Sequence, residues 1–149
     1  MTEVLFYHLE RRPLEAVLPT LLEKCLERNW KVAVQGGSDE RLQAVDAHLW
    51  TYREESFLPH GSTADGDAGL QPIYLTNGPD NPNAADVRFL IDGAEPPDLA
   101  EYQRAIFIFD GRDEAAVGQA RSHWKAASGA GYDVTYWQQN ENGRWERKA

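Results

Sequence analysis

A chain of 149 residues, 42% hydrophobic and 26% charged, has enough apolar material for one core and too little bias for a disordered or fibrous protein. A chain this long hides roughly 70% of its unfolded surface on folding. Its formal charge of -9 works against a strong direct grip on a phosphate backbone, and its apolar runs are too short to span a bilayer.

Cys25 is the single cysteine, which rules out an intrachain disulfide and a cysteine-rich zinc site and fits a reducing cytoplasm. The start, MTEVLFYHLERR, lacks a basic segment followed by a long apolar core, so no secretory signal is expected there. EVLFYHL, Glu3 to Leu9, reads instead as a first strand. Leu14, Leu18, Leu21, Leu22, Cys25 and Leu26 then recur at helical spacing. Pro13 suits a first helical turn, while Pro19 either kinks this helix or marks its true start. KVAVQ, Lys31 to Gln35, is the next strand, closed by Gly36 and Gly37. Ser38 is the expected N-cap of a second helix, with Asp39 and Glu40 in its first turn and Leu42, Val45 and Leu49 on one face.

LWTYREESFLPHG, Leu49 to Gly61, puts a Trp, a Tyr, a Phe and two Leu where a connection belongs. Leu49 and Trp50 finish the second helix, Arg53, Glu54 and Glu55 face solvent, and Pro59 and His60 set the chain's exit. No strong strand follows until PIYLT, Pro72 to Thr76, after which Asn77 to Asn83 is rich in turn residues. VRFLID (Val87 to Asp92) and AIFIFD (Ala105 to Asp110) are two further strands. Asp113 to Ser128 carries helix start signals and has Gly129 and Gly131 beyond its end. DVTYWQ, Asp133 to Gln138, is the last main strand, and Asn142-Gly143 predicts a tight hairpin turn into GRWERK. Strands alternating with helices at this spacing predict an α/β fold: three layers, Rossmann-like, with a mostly parallel sheet, helices on both faces and a C-terminal hairpin.

Such a fold invites a nucleotide-binding reading, and the residues argue against it. The first strand-to-helix turn, HLERRP, holds no glycine through which a backbone approaches a phosphate, and GxxxxGK[ST] occurs nowhere. His8, His48, His60 and His123 follow no ligand spacing, so neither a metal nor a cofactor is expected. Asp110, at a strand end, reads as a loop or capping residue, and Cys25 lies in an apolar stripe as core.

The last helix carries a less ordinary pattern. Ala116, Ala120 and Ala127 make a small-residue face for the sheet, with Val117 or Trp124 at its edge. Val117, Arg121, Trp124, Lys125 and Ser128 share an adjoining stripe at spacings of three and four. Two readings stand: Trp124 is core and the cations a solvated rim near the helix C-terminus, or the stripe is a pocket for an acidic peptide with an apolar end.

FYHL near the start, LWTYREESFLPHG, and ARSHWKAASGAGYDVTYW near the end, taken in order, resemble the chi subunit of bacterial DNA polymerase III, with Ser56 to His60 the most specific part. The resemblance spans nearly the whole chain and implies a single chi-like domain over residues 1–149. It implies a non-catalytic, cytoplasmic accessory subunit of the replicative polymerase, with no cofactor and no metal. Its partners would be the psi subunit of the clamp loader and the acidic C-terminal tail of single-stranded-DNA-binding protein, which ends in Pro-Phe. The family's tail site falls on Phe57, Arg121, Trp124 and Lys125 here; a further basic position of the family is matched by Val117. Arg144, Arg147 and Lys148, near the end, are either a solvated hairpin or a supplement to that site. Two rival readings stand beside this one: a nucleotide-dependent α/β enzyme, and a purely structural partner-binding protein.

Overall fold

The computed structural model describes residues 2–10, 14–51, 61–62, 72–81, 83–140, 142 and 144–148, and for residues 15, 48–51 and 61–62 the backbone alone. Along these the elements are β1 (Glu3–Leu9), α1 (Leu14–Glu27), β2 (Val32–Gln35), α2 (Asp39–Thr51), β3 (Gly61–Ser62), β4 (Ile73–Thr76), β5 (Val87–Leu90), β6 (Arg104–Asp110), α3 (Glu114–Gly129), β7 (Asp133–Gln139) and β8 (Trp145–Arg147). They form one eight-stranded sheet in the order β3-β4-β2-β5-β6-β1-β7-β8. Every neighbouring pair is parallel except β7–β8, the antiparallel hairpin.

The connection β1–α1–β2 moves along the sheet one way, and β6–α3–β7 moves the other. Right-handed crossovers running in opposite directions must place their helices on opposite faces. Accordingly Leu18 and Leu22 of α1 and Leu42 and Val45 of α2 pack with Leu5, Val34, Phe89 and Ile106. Ala120 and Ala127 of α3 pack on the other face with Val4, Phe6, Ala105 and Phe107. The expected helix-covered, mostly parallel architecture is therefore present.

Local details follow from single residues. Ser38 Oγ accepts from Arg41 N at 3.2 Å, the predicted cap of α2. Helix α1 runs through Pro19 rather than starting at it. Strand β3, two residues at the sheet's edge, has no counterpart in the sequence reading, because a run so short shows no alternation. The hairpin turn also differs from the expected tight Asn-Gly form. Asn140 N bonds Arg144 O at 2.8 Å, so the closing pair spans three residues, not two. The Asn140 side chain explains this: its Oδ1 accepts from Asn142 N at 2.9 Å and Arg144 N at 3.0 Å.

Away from α3, that face is covered by loop residues Ala85, Ala94, Leu99 and Tyr102, and at its centre lies Arg88, which is fully buried. Its guanidinium donates twice to Gln35 Oε1 (3.0 and 2.7 Å), to Gly78 O (2.5 Å), to Asp80 O (2.9 Å) and to the Tyr102 hydroxyl (3.1 Å). A buried charge persists only when its donors are taken up in this way. Arg88 thus pins the segments around Gly78 and Tyr102 onto the sheet.

Candidate functional site

Helix α3 begins where its sequence says it should. Asp113 is the N-cap, with its carboxylate accepting from Ala115 N at 3.0 Å and Ala116 N at 3.4 Å. The chain leaves through Ala130 and Gly131, whose φ of +86° suits glycine. Ala120 and Ala127 are buried, and their small side chains let α3 lie close to the stacked rings of Phe6 and Phe107, 4.7 Å apart. His123 and Trp124 flank that alanine face, half-buried.

Trp124 is both core edge and surface. Its indole meets Phe6 at 5.5 Å and Tyr136 of β7 at 5.8 Å, the latter nearly perpendicular. Arg121 and Lys125, one on either side of it in the stripe, are exposed, and among the described residues neither has an ion-pair partner. The last turn of α3 holds no basic residue. The helix dipole acts within the terminal turn, so it does not account for these two cations. Val117, the residue expected to match a basic position of the resembled family, is half-buried, which suits an apolar side chain. Phe57 lies outside the described residues, as do Arg53, Glu54, Glu55, Pro59, His60 and the side chains of Leu49 and Trp50.

Three residues of this region escaped the sequence reading. Tyr136 shares the α3 face with Val134, as alternation in DVTYWQ requires. Its hydroxyl lies 2.5 Å from His8 Nδ1, and His8 Nε2 lies 3.3 Å from Glu10 Oε1. Burial pushes the pKa of the Tyr136 phenol up; the Arg121 guanidinium opposes that shift and Glu10 adds to it. Alternation alone could have found Tyr136, but nothing local joins it to a residue 128 positions away.

The C-terminal ends of the parallel strands form a second feature, a cavity of about 420 Å³ lined among others by Leu9, Leu90, Asp92, Asp110, Asp113 and His123. It lies where the connections from β1 and β6 diverge, the usual ligand crevice of open α/β sheets. Its polar groups are largely spent on one another. Arg41 lies 4.0 Å from Asp92, Arg112 Nε lies 3.4 Å from Asp110, and the first amides of α3 bond to Asp113. Two glycines next to its lining serve packing: a side chain at Gly37 would strike the Asp92 carbonyl, and one at Gly111 the His8 ring. Asp110 bonds Arg112 N at 2.9 Å, which makes it a turn residue, while Asp113 does the capping. Cys25 is buried, and burial lifts its thiol to about 11, the state of an inert core cysteine.

Fold and residues together define a doubly wound α/β domain that lacks the glycine-rich phosphate loop of nucleotide-binding members. The family model described as DNA polymerase III chi subunit, HolC, matches residues 1–135. A "Probable DNA polymerase III subunit chi" of Rickettsia prowazekii (strain Madrid E) is 29% identical over 109 residues, covering 73% of this chain and 66% of that relative. The chain thus spans just under two thirds of the length of the curated relative it matches. It belongs to the DNA polymerase III chi subunit family.

Proposed function

We propose that the chain is a single-domain, non-catalytic accessory subunit of the replicative DNA polymerase III. In this reading it links the clamp loader, through psi, to the acidic C-terminal tail of single-stranded-DNA-binding protein during DNA replication. Family membership supports the polymerase assignment. The observation that carries the tail assignment is the pair of exposed cations, Arg121 and Lys125, without ion-pair partners among the described residues, beside the half-buried Trp124 in a chain of charge -9. Exposed guanidinium and ammonium groups take carboxylates, and the indole edge offers apolar surface to a terminal side chain. In this reading the remaining wall is assigned to Phe57 by the SFLPH resemblance alone.

The overall charge favours contact with DNA through a protein partner rather than directly. Many tails on one coated strand raise the effective concentration, so each contact can be weak. No helix among the described residues is long and apolar enough to cross a membrane, which is compatible with work in the cytoplasm. The test is titration of a synthetic acidic peptide ending in Pro-Phe against the wild type and Arg121→Glu. Equal affinity for both would overturn the site. A chain that captures psi but not the peptide would favour the purely structural reading.

A further inference from the structure

We propose that Tyr136 is a contact residue of this same acidic-peptide site, and that His8 is the positioning residue that turns its hydroxyl into an acceptor facing the ligand. The inference rests on the tail-binding reading above and adds a second element of recognition to it.

The geometry begins with His8, at the end of β1, whose side chain is only 13% exposed. Its ring packs edge-on to Phe109 and is backed by Gly111, where any side chain would overlap it. Packing therefore confines the ring on both of these sides. Nε2 points toward Glu10 Oε1 at 3.3 Å, and Glu10 Oε1 is held in turn by Gln138 Nε2 at 2.7 Å. Among the described residues the buried Nε2 makes no full hydrogen bond, and the Glu10 carboxylate is the polar group nearest to it that forms an ion pair. A carboxylate only accepts, so the neutral imidazole keeps its proton on Nε2 and leaves Nδ1 as a lone pair. The Tyr136 hydroxyl, 2.5 Å away, must then donate to Nδ1.

That donation fixes the outer side of the phenol. Its proton is committed to Nδ1, which leaves the oxygen only as an acceptor, on a ring that packs against Trp124 and lies within the field of Arg121. A phenol so arranged cannot donate to a carboxylate; it accepts from an N–H. The site then reads two features of one ligand. Arg121 and Lys125 take carboxylates, and the Tyr136 oxygen takes a backbone N–H of the same segment. The ligand class is an acidic peptide held by its main chain as well as its charge.

The experiment uses the full chain and a synthetic acidic peptide ending in Pro-Phe. Tyr136→Phe keeps the ring against Trp124 and removes only the oxygen. Its affinity should fall about three- to ten-fold, the worth of one hydrogen bond, while the salt dependence of binding stays that of wild type. Arg121→Glu should abolish most binding and flatten the salt dependence. If Arg121→Glu has no effect, the tail site itself is wrong; if Arg121→Glu weakens binding but Tyr136→Phe does not, only the present inference falls. Ring-nitrogen NMR of the unmutated protein is the independent arm. His8 should carry its proton on Nε2, and a proton on Nδ1 would overturn the proposal however the variants behave.

Discussion

The indole of Trp124 stands nearly perpendicular to the ring of Tyr136, at 5.8 Å between centroids, and so joins the last helix to β7. Among the described residues its other aromatic neighbour, Phe6 at 5.5 Å, belongs to strand β1 inside the sheet. Trp124→Ala should therefore cost stability as well as binding. We expect a loss near the lower end of about 3–5 kcal/mol, because part of the ring is already in water. Urea unfolding measures this, and Trp124→Phe should recover most of it.

The charged members of the stripe behave differently. Arg121→Glu and Lys125→Glu alter exposed positions and should leave stability within about 0.5 kcal/mol. Affinity for the acidic peptide should fall in both, and the wild-type affinity should drop as salt rises from 50 to roughly 300 mM, as charge screening requires. A variant that loses stability and affinity together would point to packing instead.

Phe57→Ala separates two roles for the aromatic in SFLPH. As a wall of the tail site, Phe57 should lose affinity several-fold with little change in unfolding midpoint. As a core residue it would lose stability by about 3–5 kcal/mol. Parallel peptide titration and urea unfolding of this one variant decide between them.

Arg88→Ala should be among the most damaging substitutions in the chain. It strands Gln35 Oε1 and the carbonyls of Gly78 and Asp80 without their donor. We expect a loss of about 3–5 kcal/mol, with faster amide exchange in the segments that Arg88 pins. Unchanged exchange there would show that Arg88 does not hold them.

Cys25 makes a pH prediction. Its folded thiol titrates at about 11, above the ordinary value of 9.0, because burial disfavours the thiolate. Between those values the unfolded chain has lost the proton that the folded chain keeps. The stabilisation is thus complete below the lower value and is lost as pH rises through the window, at up to ~1.4 kcal/mol per pH unit. Unfolding free energies measured at pH 8 and pH 10.5 should fall more for wild type than for Cys25→Val. Thiol-reactive dye should label native Cys25 far more slowly than the urea-unfolded chain.

What the amino-acid order determined by itself was local. Asp113 before an apolar-periodic stretch and Gly131 after it bracketed α3, with Gly129 falling inside as its last residue, because caps act within one turn. Apolar runs such as AIFIFD marked buried parallel strands, and the stripe of Arg121, Trp124 and Lys125 followed from helical spacing. The two-residue β3 and the three-residue hairpin turn were less legible, since one is too short for a period and the other is set by the Asn140 side chain. Only the tertiary structure decided which strands are neighbours, that Arg88 is buried, and that His8 lies against Tyr136. Those relationships depend on pairings between residues far apart in the chain, whose energy exists only once the sheet has closed around them, so no local pattern records them.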